Sequence, residues 1–165
     1  MSAKRLYLIR HAKSSWKDPN LSDFDRPLNK RGKRDAPFMG ARLRKYDIEP
    51  DLIITSPAKR ALKTARLLAE EIGYPKKNIL EDKRIYGADE KELLDIIRRL
   101  DNKNKVFLIG HNPALTTLAE ILSGLPVENI PTCGIFCVEF QTDIWADIGE
   151  KSGNVIFFDY PKKHR

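Results

Sequence analysis

Three short apolar runs end in residues able to handle an anion. Leu6-Tyr7-Leu8-Ile9 runs into Arg10 and His11. Leu52-Ile53-Ile54 runs into Thr55-Ser56-Pro57, with Arg60 close behind. Val106-Phe107-Leu108-Ile109 runs into Gly110-His111-Asn112-Pro113. An imidazole is nucleophilic near neutral pH when its second nitrogen is held as a donor. A guanidinium beside it can fork onto two oxygens of one anion and hold charge there. Phosphate is therefore the first substrate group to consider. The chain has three histidines; two fall at the ends of these runs and His164 lies in the tail. Paired histidines also raise a metal site, but the neighbouring arginines oppose a dication, so no metal is expected.

Positioning these residues requires strands with their ends on one edge. Apolar runs of this length, bounded by polar residues, read as buried strands. Helical patterns lie between them. After Asn29, Ala36, Met39, Leu43 and Tyr46 recur at helical spacing, with Pro37 awkwardly inside, so that helix should start late or kink. Ser56 and Pro57 read as the N-cap and first residue of the next helix. Its face is Ala61, Ala65, Leu68 and Ile72, and Gly73 ends it, which places Arg60 in the first turn. Asn78 to Glu81 reads as a short third strand. Asp89 and Glu92 form a capping pair for a helix carrying Leu93, Ile96, Ile97 and Leu100. Asn112 and Pro113 repeat the cap-and-proline pattern before Leu115, Leu118, Ala119 and Leu122. After Gly124, the stretches Ile135 to Phe140 and Asn154 to Phe158 read as strands with no helix between them.

This alternation implies the α/β class: a three-layer α/β/α sandwich on a mostly parallel sheet with an antiparallel edge. Parallel strands present their C-terminal ends together, where open sheets bind ligands. Arg10, His11, Arg60 and His111 should converge there, with two helix N-termini suited to an anion.

Length and composition bound the rest. The 165 residues suit one domain spanning the whole chain, and 41% hydrophobic with 32% charged residues fits a globular protein. No apolar run reaches membrane-spanning length, so no membrane association is expected. Met1-Ser2-Ala3-Lys4 leads directly into the first strand, so no signal peptide is expected. Cys133 and Cys137 read as reduced, packed thiols sharing one face of a strand, and the chain as cytoplasmic. The net charge of +7 is spread along helices. Lys30, Arg31, Lys33 and Arg34 read as a solvated helix face, and Lys162 to Arg165 as a disordered tail. Nothing resembles a groove-reading motif, so no nucleic-acid partner is expected. Oligomeric state is not encoded in any of these features.

The motifs resemble a known family. Leu6-Tyr7-Leu8-Ile9-Arg10-His11-Ala12 resembles the Arg-His signature of the histidine phosphatase superfamily, which includes the phosphoglycerate mutases. Thr55-Ser56-Pro57-Ala58-Lys59-Arg60-Ala61 with Thr64-Ala65 resembles its second arginine motif, and Gly110-His111-Asn112 its second histidine motif. Arg26-Pro27-Leu28, Arg31-Gly32 and Ile85-Tyr86-Gly87-Ala88 are similar to the small SixA-type phosphohistidine phosphatases. The resemblance implies a phosphoglycerate mutase-like fold, no cofactor, and His11 as a nucleophile that carries the phosphoryl group. Arg10 and Arg60 would hold the non-bridging oxygens. His111 would donate to the same oxygens, best when protonated.

One departure from the family concerns the proton donor. Many members supply a carboxylate after the third strand, whereas Arg84-Ile85-Tyr86-Gly87-Ala88-Asp89 has no Glu there. Asp89, Asp18 and Asp25 are the general-acid candidates, Asp89 reading first as a helix cap. A phosphohistidine substrate leaves as an imidazole and needs an acid less than an alkyl ester does. The expected substrate is thus a phosphorylated protein such as a histidine phosphorelay domain. The alternatives are a small phosphorylated metabolite and a phosphate-recognition module without turnover. Ser14 and Asn112 are candidate phosphate ligands, with turn formation and helix capping as their competing roles. The loop from Lys13 to Asn29 should meet the substrate, with Trp16 as pocket cover or loop anchor. Within it, Arg26 either organises the loop or binds substrate.

Overall fold

A computed structural model describes residues 3–165; Met1 and Ser2, read above as the lead into the first strand, lie outside the described residues. Among the described residues, six strands and four α-helices follow the expected alternation. They are β1 (Lys4–Arg10), α1 (Lys30–Lys45), β2 (Leu52–Thr55), α2 (Lys59–Ile72), β3 (Leu80–Glu81), α3 (Glu90–Arg98), β4 (Lys105–Gly110), α4 (Ala114–Ser123), β5 (Ile135–Phe140) and β6 (Asn154–Asp159). The sheet order is β3-β2-β4-β1-β5-β6. β1, β2, β3 and β4 pair in parallel, while β5 runs antiparallel to both β1 and β6. The class is therefore the expected α/β sandwich with an antiparallel edge.

The side-chain period of two along β1 creates the three layers. Leu6 and Leu8 face one core with Leu93, Ile96 and Ile97 of α3 and Leu115, Leu118 and Leu122 of α4. Tyr7 and Ile9 face the other, with Met39 and Leu43 of α1 and Ala61, Ala65 and Leu68 of α2. β1 and β4 are covered on both faces, which is why they read as continuous apolar runs. In register, Arg10 lies opposite Gly110. His11 and His111, the next residues, therefore leave the sheet side by side.

Several local expectations are corrected. α1 starts at Lys30, capped by Asn29, whose side chain accepts from Gly32 N at 2.8 Å, and it runs through Pro37 as one helix. Packing of its Ala36, Met39 and Leu43 face outweighs the hydrogen bond that proline cannot donate. Gly32 is required by closeness: a Cβ there would sit 2.2 Å from Lys13 O. Asn78 and Ile79 fall outside β3, which has only two residues on the sheet edge. Cys133 is not on a strand. It occupies the turn before β5 with φ +61°, whereas Cys137 lies in β5. Both cysteines are free and buried, and burial raises both thiols, Cys137 to about 12. The tail is ordered. Pro161–His164 forms a 3-10 turn, and Arg165 reaches Asp35 at 2.6 Å. Asp35 is buried in α1, and that buried carboxylate gives the basic tail a partner. Among the described residues no helix is long and apolar enough to cross a membrane.

Candidate active site

The four expected residues converge at the C-terminal edge of β1, β2 and β4. The backbone past β1 is held on two sides. Cys133 N donates to Arg10 O and His11 O at 3.0 and 3.1 Å. Ala12 N donates to Thr64 Oγ1 at 3.0 Å, and that hydroxyl donates to Arg60 O at 2.8 Å. Thr64 thus clips the first motif onto the first turn of α2. His11, 7% exposed, donates from Nδ1 to Ala12 O at 2.7 Å. A carbonyl oxygen only accepts, so Nδ1 carries the proton and Nε2 keeps its lone pair. Arg60 Nε points at that Nε2 from 3.4 Å. The rings of His11 and His111 are 5.3 Å apart.

Two buried polar atoms here have no hydrogen-bond partner among the described residues: Arg10 Nε and His111 Nδ1. Arg10 donates from Nη1 to Ile130 O at 3.1 Å, and His111 Nε2 meets Ser56 Oγ at 2.8 Å. Buried polar groups are normally satisfied, so two in one cluster mark a place for acceptor oxygens. Burial lowers both histidines: His11 to about 3, helped by the second imidazole of His111 and the positive Arg60 and Arg10, and His111 to about 4, helped by Arg60. Burial also lowers Arg10 from its ordinary value. Both imidazoles are therefore neutral at pH 7 before an anion arrives.

The first loop brings in a residue absent from the sequence-derived site. Asp23 begins a 3-10 turn, Asp23–Asp25. Its Oδ2 accepts from Arg60 Nη2 at 3.0 Å and from the Tyr86 hydroxyl at 2.7 Å. Its Oδ1 accepts from Arg26 Nε and Nη2 at 3.2 and 3.0 Å, and its backbone oxygen from Arg60 Nη1 at 2.6 Å. Hydrogen bonds from Tyr86, Arg60 and Arg26 hold its carboxyl well below the usual carboxylate range. Asp23 is therefore an anion that ties the loop to α2, with Arg60 Nε turned to His11. The signal that could have found it is the i,i+3 spacing from Asp23 to Arg26. Nothing in the sequence ranks that pair above Asp25.

The three general-acid candidates make local contacts, and none hydrogen-bonds to His11, Arg60 or His111 among the described residues. Asp25 is exposed and accepts from Ser22 Oγ at 3.0 Å, and Asp18 is exposed and accepts from Asn20 N at 2.9 Å. Asp89 forms a full capping box with Glu92. Ser14 Oγ is taken by Arg26 Nη1 at 2.5 Å, so Ser14 braces the loop. Asn112 accepts from Thr116 N and Oγ1 through Oδ1, and donates from Nδ2 to Ile130 O. It thereby fastens the start of α4 to the 129–130 segment. Both candidate ligands thus spend these polar atoms inside the protein. Ser56 is likewise no N-cap: α2 begins at Lys59, and Ser56 Oγ accepts from Ala58 N at 3.2 Å while meeting His111. Trp16 packs on the loop's own Arg26 and not on the core. It is 73% exposed, with the Arg26 guanidinium stacked 3.5 Å from its ring centre. No cluster of three or more metal-ligating side chains occurs among the described residues.

Sheet order, layers and the polar residues at one strand edge define a phosphoglycerate mutase-like α/β protein. The model of the histidine phosphatase superfamily, branch 1, matches residues 6–85, which include Arg10, His11 and Arg60. The chain belongs to that superfamily, on its SixA-type side, and is a hydrolase of the phosphatase class. A SixA-type protein from Agrobacterium tumefaciens has a similar structure, with a TM-score of 0.83 and 27% identity over 96% of this chain and 98% of that one. The protein histidine phosphatase SixA, solved with tungstate, shares the fold at a TM-score of 0.82 and 20% identity, over 98% of this chain and 99% of that one. An uncharacterized protein of Mycobacterium tuberculosis is 31% identical over 93% of this chain and 100% of its own length.

Proposed function

We propose that the protein hydrolyses phosphohistidine on a protein, such as a histidine phosphorelay domain, through a covalent phosphohistidine on His11. The observation that carries this reading is the 2.7 Å bond from His11 Nδ1 to Ala12 O, which leaves a lone pair on Nε2 beside Arg60. That lone pair forms a bond to phosphorus as the P–N bond of the substrate breaks. The departing imidazole keeps the bonding pair and takes a proton from solvent. Water then attacks the phosphorus on His11, the N–P bond breaks, and orthophosphate leaves. Nε2 recovers its lone pair. Through both steps Arg10, Arg60 and His111 hold the non-bridging oxygens, which supply the acceptors that Arg10 Nε and His111 Nδ1 otherwise lack. The arginines provide the positive charge, so the reading needs no metal and no cofactor.

The substrate preference follows from the carboxylate beside Arg60. Asp23 is held ionised by Tyr86, Arg60 and Arg26, so it cannot protonate a leaving group at neutral pH. An alkoxide leaving group suffers from that lack more than an imidazole, which solvent can protonate. Free, buried Cys133 and Cys137 fit a reducing compartment such as the cytoplasm.

Radiolabelled phosphohistidine peptide tests the scheme. The native protein should acquire an acid-labile, alkali-stable label and release orthophosphate, and His11→Ala should do neither. Normal turnover by His11→Ala, or the absence of any acid-labile phosphoenzyme in the native protein, would sink the scheme. Rates on the peptide should exceed those on sugar phosphates and nucleotides. The reverse order would make the substrate a small phosphorylated metabolite, and tight phosphate binding without turnover would make the protein a recognition module.

A further inference from the structure

We infer that Ser56 is a positioning residue that fixes the tautomer of His111, keeping its proton on Nδ1 as the donor to the phosphoryl group. This rests on the phosphatase reading above and adds what decides the role of the second histidine.

The inference comes from accounting for every proton around one hydroxyl. Ser56 is fully buried, so its hydroxyl has no access to solvent. Its Oγ accepts from Ala58 N at 3.2 Å and lies 2.8 Å from His111 Nε2. Among the described residues, the one acceptor for the hydroxyl proton is therefore His111 Nε2. If Nε2 carried a proton, it would donate to Oγ. The Ser56 proton would then be buried without an acceptor, and His111 Nδ1 would be a buried bare lone pair. That lone pair would confront the phosphoryl oxygens, acceptor against acceptor. If Nε2 is bare, it accepts from Ser56, and Nδ1–H is the group left over. Each buried group then has a partner once an oxyanion is bound.

The same accounting separates the two histidines. His11 donates from Nδ1 to Ala12 O and offers a lone pair at Nε2. His111 accepts at Nε2 from Ser56 and offers a proton at Nδ1. Both rings carry the same tautomer but present opposite nitrogens: Nε2 of His11, which faces Arg60 Nε, and Nδ1 of His111, which has no partner among the described residues. A backbone carbonyl makes one a nucleophile, and a serine hydroxyl makes the other a donor. His111 needs no net charge to donate in this arrangement. That agrees with its low proton affinity in the free site, which burial and Arg60 cause.

The decisive measurement is nitrogen-15 NMR of the histidine rings in the native protein, with the His111 signals assigned by their loss in His111→Gln. His111 should show a protonated Nδ1 and a bare Nε2 at neutral pH. A protonated Nε2 in the native protein overturns the inference outright, whatever the Ser56 variants do. Ser56→Ala should convert His111 to a mixture of tautomers and lower the rate of phosphoenzyme formation by about 10²-fold, the scale of one lost oxyanion donor. Substrate KM should change far less than kcat. Ser56→Thr, which keeps the hydroxyl, should restore both the tautomer and most of the rate. Unchanged tautomer and unchanged rate in a folded Ser56→Ala protein also overturn the inference. Failure of the phosphatase reading looks different: the native protein would form no phosphoenzyme while His111 still showed the Nδ1–H tautomer.

Discussion

His11 and His111 stand at matching places and do different things. Each follows the last residue of a parallel strand, and β1 and β4 are neighbours in exact register there, Arg10 opposite Gly110. Their rings lie 5.3 Å apart, and burial lowers both. The difference lies in the partner of one nitrogen: Ala12 O for His11 and Ser56 Oγ for His111. A carbonyl can only accept, whereas a hydroxyl already accepting from a backbone amide can donate onward. On the proposed reading, identical side chains at equivalent strand ends become nucleophile and donor. The motif positions provide the imidazoles, and their hydrogen-bond partners assign the chemistry.

The largest expected effect breaks the pair at its nucleophile. His11→Ala should reduce hydrolysis by about 10⁴-fold or more, since a group that forms the covalent bond has no substitute. His111→Ala should cost about 10² to 10³-fold and still yield a slow, acid-labile phosphoenzyme. Equal losses in the two variants, measured by single-turnover labelling, would erase the distinction.

A smaller effect is expected at the hub that holds Arg60. Asp23→Asn keeps the size of the side chain and removes its charge, and should slow phosphoryl transfer by about tenfold, the scale of one charge-assisted hydrogen bond. Tyr86→Phe should cost less, because Arg60 and Arg26 still reach Asp23. An acidic Asp23 is ruled out if the basic limb of the pH–rate profile stays in place in Asp23→Asn. If Asp23 were instead the proton donor, that limb would vanish.

The pH dependence sharpens the comparison further. Both histidines have folded values below the ordinary 6.5, His11 at about 3 and His111 at about 4. Between about 6.5 and 4 the unfolded chain binds protons that the folded site refuses. Stability should therefore fall as pH drops through that window and be regained on raising it. Ring proton NMR of the free protein should show neither site residue titrating between pH 5 and 8. Vanadate or phosphate should raise the His111 value more than any other, as an anion beside Nδ1–H favours the charged ring. In His111→Gln the stability loss over the same window should be shallower.

The smallest effect concerns the exposed loop. Trp16→Ala removes the ring under Arg26 and should cost only about 0.5 to 1 kcal/mol in thermal or denaturant unfolding. Turnover of small phosphate substrates should be nearly unchanged, because Asp23 and Ser14 still hold Arg26.

Much of this molecule is legible without its structure. Continuous apolar runs encode strands covered on both faces, and the parallel order of β1, β2 and β4 follows from the helices between them. Convergence of Arg10, His11, Arg60 and His111 follows from that topology, because parallel strands end on one edge. The capping box at Asp89 and the left-handed Gly73 and Gly124 ends are local, and local chemistry decides them. Contacts between residues far apart in sequence are different. Asp23 meets Arg60 across 37 positions, and Ser56 meets His111 across 55. No periodicity encodes which of several loop carboxylates turns inward, or that a serine suited to capping a helix faces an imidazole instead. Basic residues at the end of the chain likewise read as a loose tail until Asp35 is found buried beside them. The sequence by itself thus determined the strands, their shared edge and the four groups gathered there. Only the tertiary structure decided which nitrogen of each histidine faces the site, because that depends on partners brought close by packing and not by the chain.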